Sequence, residues 1–162
     1  MRVTLDIMVQ IVLQYRSNAT VRYTAQQLVR NCNSRDSVCQ ITVCHAYVRD
    51  KVAYLPDIRD VETIQTPDYT LDLMSGDCDD QSVLLACLLE SIGFQTRFCA
   101  IGVRGGFYSH VSSQVKLGKG WCNLETIVPV LRDPWCGYDA GAPTPVGWFP
   151  PDATCYKVAR VP

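Results

Sequence analysis

The sequence has no excess of charge of either sign, since 15 Lys and Arg residues are balanced by 16 Asp and Glu residues, for a formal net charge of −1. Proteins that bind nucleic acids or anionic membrane surfaces usually carry a basic excess, so we expect no nucleic-acid partner and no membrane partner. A run of about 18 apolar residues, which a membrane-spanning helix would need, is also missing from the sequence.

We also expect no cleavable leader. The first 13 residues, MRVTLDIMVQIVL, are mostly apolar, but Asp6 and Gln10 interrupt them and no small-residue cleavage site follows. We therefore expect that the protein is not secreted by a signal peptide and that it works in a reducing compartment. In such a compartment most of the nine cysteines should be buried free thiols.

The first half of the chain carries helical patterns. A length of 162 residues fits a single domain, 1–162, with a core of its own. Apolar residues at spacings of three and four predict one helix through Leu5, Met8 and Val12, and two more over about 21–31 and 37–50. The polar segment 56–74 contains Pro67 and predicts a connection across the surface.

The second half combines one buried helix with strands. Residues 83–89, VLLACLL, are apolar on every side, which predicts an interior helix that begins at Cys78 and stops before Gly93. Strand patterns follow over 97–103, 108–117 and 121–128. Helices first and antiparallel strands later predict an α+β domain, with a helical leader (1–55), a core (75–128) and a Pro/Gly-rich tail (129–162) packed on the core.

Cys78 differs from the other cysteines because it lies at the predicted start of that helix, in the sequence SGDCDDQS. The unpaired N–H groups of a first helical turn and the positive end of the helix dipole favour a thiolate. Asp77 is a natural N-cap and Asp80 occupies the capping-box position three residues on. Because the carboxylates oppose the dipole, the sequence alone leaves the thiol pKa open, and activation requires a histidine.

The sequence offers two histidines as partners for the thiol. His45 lies inside the third helical pattern and is interpreted as an ordinary helix residue. His110 lies on the polar face of the strand YSHVSSQV. If Gly118 and Lys119 form a two-residue hairpin turn, Glu125 becomes a diagonal neighbour of His110 on the same face. Cys78, His110 and Glu125 therefore have the order of a nucleophile, a base and a residue that orients the base.

These motifs together resemble the transglutaminase-like superfamily of papain-type folds. The resemblance rests on GDCDDQSVLLACLLESIGFQTRF, on YSHVSSQV and WCNLETI after it, and on the flanking AYVRDKVAYLPD and GWFPP, which together cover most of the chain. It is nearest to the small single-domain type found in tailed phages and prophages. The resemblance implies a nucleophile helix packed on an antiparallel sheet, a catalytic triad of Cys78, His110 and Glu125, and thiol-dependent acyl chemistry on an amide, without a cofactor.

The resemblance leaves the reaction and the setting open. Water as acceptor would make the protein a peptidase or amidase, and an amine as acceptor would make it a transglutaminase. In either case we expect the partner to be a peptide or protein amide. The expected location is the cytoplasm of a bacterial host or a phage virion. The family usually has Asp where this chain has Glu125, and often an aromatic where it has Ser112. Both departures favour an alternative function as a non-catalytic structural protein of a phage tail, with other phage proteins as partners.

Metal binding is a third interpretation. The acidic residues Asp77, Asp79 and Asp80 favour capping and surface roles over an ion site. Two groups of residues could hold zinc or an iron–sulfur cluster, although neither shows the tight CxxC spacing of structural sites. The groups are Cys32, Cys39, Cys44 and His45 in the first half, and Cys99, Cys122, Cys136 and Cys155 in the second.

Overall fold

The computed structural model describes residues 2–58, 63–103, 107–127 and 154–160, which form an α+β domain as the sequence predicts. Within these residues no helix is long and apolar enough to cross a membrane. The helices are α1 (Arg2–Tyr15), α2 (Ala19–Val29), α3 (Ser37–Lys51), α4 (Pro67–Leu73) and α5 (Cys78–Ser91). The strands are β1 (Ala53–Tyr54), β2 (Ser75–Gly76), β3 (Thr96–Val103), β4 (Phe107–Leu117), β5 (Gly120–Leu124) and β6 (Thr154–Arg160).

The larger sheet is antiparallel and has the strand order β5-β4-β3-β6. Its β4–β5 hairpin turns through Gly118 and Lys119, so Leu117 pairs with Gly120 and the predicted register is confirmed. Gly118 has a φ of 59°, which glycine adopts without the steric cost of a side chain. Because side chains alternate between the two faces of a strand, the register set by this turn decides which side chains of β5, and of the residues just after it, lie on the same face as His110.

Helix α5 is the centre of the domain. It packs on β3 and β4 and contacts the four other helices. Its residues 83–89 are all fully buried, as the uninterrupted apolar stretch predicts. The helix stops where Gly93 adopts a φ of 98° and Phe94 donates its N–H to the carbonyl of Leu89 at 3.0 Å. The sequence of α5 therefore determines both its interior position and its end.

Several predicted elements differ from those observed. The segment 56–74 contains helix α4, because Pro67 sits at the first helical position, where its missing N–H is not needed. Helix α3, predicted over about 37–50, buries Ile41, Cys44, His45 and Val48, whereas Val38 in its first turn is 49% exposed. Strand β6, which the Pro/Gly-rich tail did not suggest, pairs with β3; residues 128–153 and 161–162 lie outside the described part.

The expectation that most cysteines are free thiols is wrong for three of them. Cys32 and Cys39 form a disulfide next to the start of α3, and Cys99 is also disulfide-bonded. A sulfur in a disulfide is not a thiolate ligand, so this overturns the first proposed metal set and removes Cys99 from the second. Cys44, Cys78 and Cys87 are free thiols as expected, whereas the side chains of Cys136 and Cys155 lie outside the described residues.

Candidate active site

The start of α5 is fixed by a capping box, as the sequence predicts. The Asp77 carboxylate accepts the N–H groups of Asp79 and Asp80 at 2.9 and 3.2 Å, and the Asp80 carboxylate accepts the N–H of Asp77 at 3.1 Å. Asp80 is buried and also accepts the N–H of Gln65 at 2.7 Å. A Cβ on Gly76 would lie only 2.6 Å from the Asp80 Cβ, so the motif needs glycine there.

The Cys78 thiol is half-buried at this helix start and contacts β4. Its Sγ lies 3.4 Å from Asp79 Oδ1, and the backbone N–H of Val111 is near enough to favour a negative charge on the sulfur. Burial, followed by the negative charge of Asp79, raises the pKa of the thiol above its ordinary value of 9.0. The resting group at neutral pH is therefore the thiol, with its proton directed at Asp79, rather than a thiolate.

A hydrogen bond joins His110 and Glu125, with 2.6 Å between Nε2 and Oε2. The Glu125 side chain is only 3% exposed, against 19% for His110. Its other oxygen, Oε1, accepts the N–H groups of Thr126 and Ile127 at 3.0 and 2.9 Å. One carboxylate therefore binds both the backbone just after it and the imidazole, and it takes up Nε2 of His110 rather than Nδ1.

The structure brings two of the three predicted site residues into direct contact and places the third beside them. His110 and Glu125 are in direct contact, and Cys78 touches Val111, the residue after His110. Ser112, which stands where the family often has an aromatic, is buried and donates to Asn123 Oδ1 at 2.7 Å. The assignment of a catalytic triad to Cys78, His110 and Glu125 stays a prediction.

His45 contributes to the site in a way that the sequence did not indicate. It is 2% exposed, and its Nε2 lies 2.5 Å from the backbone oxygen of Glu125. Its spacing from Ile41, Cys44 and Val48 on one helix face could have predicted that it is buried. The partner could not be predicted, because Glu125 is 80 residues away in sequence and comes close only when α3 and the sheet pack.

The titration of Asp77 gives the site a pH-dependent stability. Burial, with smaller contributions from Asp80 and Asp79, raises the pKa of Asp77 from 3.8 to about 7. A raised pKa means that the stability contribution is complete below pH 3.8 and is lost as the pH rises to about 7. Asp77→Asn keeps a capping oxygen without titrating. The unfolding free energy of this variant, relative to that of the wild type, should therefore increase by about 1 kcal/mol between pH 4 and pH 8.

Urea unfolding of the two proteins at pH 4, 6 and 8 measures this difference. Asp77→Ala is the matched control, because it removes the capping oxygen but, like asparagine, does not titrate. The gap between the alanine and asparagine variants should be the same at all three pH values. A gain over the wild type that does not change with pH would refute the ionisation of Asp77 as its cause.

Comparisons with known proteins agree with this architecture. The family model of the transglutaminase-like superfamily matches residues 22–126. A "putative cysteine protease" from Cytophaga hutchinsonii has a TM-score of 0.57 and 12% identity over 69% of this chain. A "putative protease" from Parabacteroides distasonis has a TM-score of 0.56 and 12% identity over 73% of this chain.

At this level of identity the two structures show a shared fold. The alignments cover 38% and 26% of those longer chains. A comparison with curated proteins finds no match. The family model covers more than half of the 162 residues, including Cys78, His110 and Glu125. The chain therefore belongs to the transglutaminase-like superfamily.

Proposed function

We propose that this protein carries out thiol-dependent acyl chemistry on an amide, with Cys78 as nucleophile, His110 as base and Glu125 as the residue that orients the imidazole. The observation that carries the proposal is the hydrogen bond between His110 and the buried Glu125 carboxylate, next to the strand residue that contacts the Cys78 sulfur. A buried carboxylate that holds an imidazole beside a helix-start cysteine is an arrangement suited to nucleophilic catalysis.

The raised pKa of Cys78 determines how the first step proceeds. Because little thiolate exists at rest, Nδ1 of His110 removes the thiol proton as the sulfur attacks the carbonyl carbon. The C–N bond then breaks, the imidazolium returns its proton to the leaving amine, and an acyl thioester remains on Cys78. Water or a second amine attacks this thioester with His110 again as base, which releases an acid or a new amide and regenerates the thiol.

Two groups support the negative oxygen of the tetrahedral intermediate in this proposal. The backbone N–H of Cys78 occupies the first helical position, where α5 offers it no carbonyl partner. Tyr54 pairs with Gly76, two residues before Cys78. Burial, and then the nearby ionisable groups of Cys78 and Asp77, raise the pKa of the Tyr54 phenol, so its O–H stays available as a donor.

The comparisons bear on the substrate class of this proposal. The two solved relatives are described as proteases, which favours water as acceptor and a peptide as substrate. Family membership equally allows an amine acceptor, as in a transglutaminase. A role in a phage or prophage rests on the resemblance of the sequence motifs alone.

A direct test is to trap the acyl-enzyme. The purified protein is mixed with p-nitrophenyl acetate, the burst of nitrophenolate is followed, and acetylated cysteines are mapped by mass spectrometry. We expect close to one acetyl group per chain, on Cys78, and its transfer to water or to added cadaverine then distinguishes hydrolysis from transamidation. Acetylation spread over several cysteines, or none at Cys78, would refute the proposed function.

A second candidate is a structural protein that keeps the fold without turnover. The hydrogen bond of the Cys78 thiol to Asp79, together with the raised thiol pKa, favours it. In that case Cys78 should be acetylated no faster than an ordinary exposed thiol, and replacement of His110 should leave this rate unchanged. The same experiment therefore separates the two candidates.

A further inference from the structure

We propose that His45 is a positioning residue of the active site: through its hydrogen bond to the backbone carbonyl of Glu125, it holds the carboxylate that orients His110. This inference rests on the proposed function, because a role in positioning presupposes a working triad. The bond is long-range, since it joins helix α3 to the segment just after β5. It is also buried at both ends, with His45 2% and Glu125 3% exposed.

Glu125 needs such support because it lies beyond the sheet. Strand β5 ends at Leu124, and the last pairing to β4 joins Ser113 and Leu124. Past that point the ladder no longer fixes the backbone. The carboxylate binds the N–H groups of Thr126 and Ile127, which are part of the same segment and would move with it. Besides the contact of its carboxylate with His110, the bond from His45 ties this segment to a separate, rigid element.

His45 is well suited to act as that anchor. Ile41, Cys44 and Val48, on the same face of α3, are fully buried, so the helix is held at the level of the imidazole by core packing. A carbonyl oxygen only accepts, so Nε2 of His45 carries the proton. Burial lowers the pKa of His45 and outweighs the opposite effects of its bond to the Glu125 carbonyl and of the Glu125 carboxylate. The other charged side chains near it, Arg49 and Asp50, form an ion pair with each other at 2.7 Å. The imidazole is therefore a neutral, stable donor.

Loss of the His45 donor is expected to change the distance between the Glu125 carboxylate and His110. Without it the Glu125 carbonyl is buried and unsatisfied, and the segment after β5 is expected to shift toward a new donor. The Glu125 Oε2–His110 Nε2 contact of 2.6 Å is then lengthened or lost. A misplacement of about 1 Å at a catalytic group lowers rates by about tenfold to a hundredfold.

Three variants of the full chain test this inference. His45→Leu removes the donor at similar size. His45→Gln keeps an amide N–H at the reach of Nε2, whereas His45→Asn carries the same amide on a side chain one methylene shorter. Cys44→Ala is the matched control, since Cys44 is an adjacent buried residue of α3, so its variant should lose stability without affecting the site.

The readouts are the NMR signal of the His110 Nε2 proton, which a hydrogen bond to a carboxylate protects and shifts downfield, and the rate of Cys78 acetylation. We expect His45→Leu and His45→Asn to lose the proton signal and to lower the acetylation rate about tenfold. His45→Gln and Cys44→Ala should keep the signal and stay within about threefold of the wild type. If His45→Leu does not fold, the difference between His45→Asn and His45→Gln in proton signal and acetylation rate tests the positioning role.

The outcomes separate this inference from the proposed function. If His45→Asn keeps the protected proton, or if Cys44→Ala loses it to the same extent, the positioning role is refuted. If wild-type Cys78 is not acetylated, the proposed function fails. The proton signal then still reports whether His45 holds Glu125 against His110, but a positioning role in catalysis is refuted with the function.

Discussion

Glu125→Gln is expected to lower the rate of Cys78 acetylation by about 10³-fold, with little change in stability. Glutamine matches glutamate in size and can still accept the N–H groups of Thr126 and Ile127 through its carbonyl oxygen. It lacks the negative charge that stabilises the imidazolium formed when His110 takes the thiol proton. Its NH₂ group would also face Nε2 of His110 and favour the tautomer with its proton on Nδ1, the nitrogen that must accept.

The large expected loss of acetylation rate follows from the burial of the His110–Glu125 pair. A carboxylate that is 3% exposed and 2.6 Å from the imidazole acts in a region of low dielectric, where charge on the base matters more than in water. Stopped-flow measurement of the nitrophenolate burst gives the acetylation rate, and urea unfolding gives the stability. The two together separate a lost charge from a damaged fold.

Glu90→Gln is the matched control for this prediction. Glu90 is a partly buried glutamate at the other end of α5, where it accepts the N–H of Thr96 at 2.6 Å and pairs with Arg16 at 3.4 Å. Its replacement should lower stability but keep the acetylation rate within about threefold. An equal loss of rate in both glutamine variants would show that the effect of Glu125 is not specific to the triad.

Asp79→Asn is expected to make Cys78 about ten times more reactive toward iodoacetamide at pH 7. The carboxylate that lies 3.4 Å from the sulfur disfavours a negative charge there, and it is the largest cause after burial of the raised thiol pKa. Asparagine removes that charge at nearly constant size. The start of α5 should be kept, because the capping box uses the side chains of Asp77 and Asp80 and only the backbone of Asp79.

The sign of the pH dependence can be derived directly. Alkylation rates follow the thiolate fraction, which rises tenfold for each pH unit below the pKa. A lower pKa in Asp79→Asn therefore moves the whole rate profile to lower pH, and the two profiles converge only above the pKa of the wild-type thiol. Alkylation of Cys78, mapped by mass spectrometry from pH 5 to 10, measures both profiles.

Asp72→Asn provides the control for Asp79, because Asp72 is an exposed acid on α4 and its replacement removes one charge from the chain. In Asp72→Asn the rate of Cys78 alkylation should depend on pH in the same way as in the wild type. If Asp79→Asn also shows the wild-type pH dependence, the hydrogen bond to Asp79 does not set the thiol pKa. Burial alone would then account for the resting thiol.

The sequence by itself determined the elements whose signals are local. The apolar stretch at 83–89 predicts a helix that is buried all round, and the acids at 77 and 80 predict the capping box that places Cys78 at its first turn. The two-residue turn at Gly118 and Lys119 sets the hairpin register, and with it the approach of Glu125 to His110. Each of these depends on neighbours within a few residues or on one short turn, which is why the sequence predicts them.

Only the tertiary structure decided the features that depend on distant packing. Whether the thiol at position 78 is ionised follows from its burial against β4 and from the orientation of Asp79, neither of which a helix-start motif determines. Strand β6 pairs with β3, which is distant in sequence, so its place in the sheet is decided by long-range packing. The contact of His45 with Glu125 joins residues 80 positions apart, and it exists only because α3 and the end of β5 pack together in the folded core.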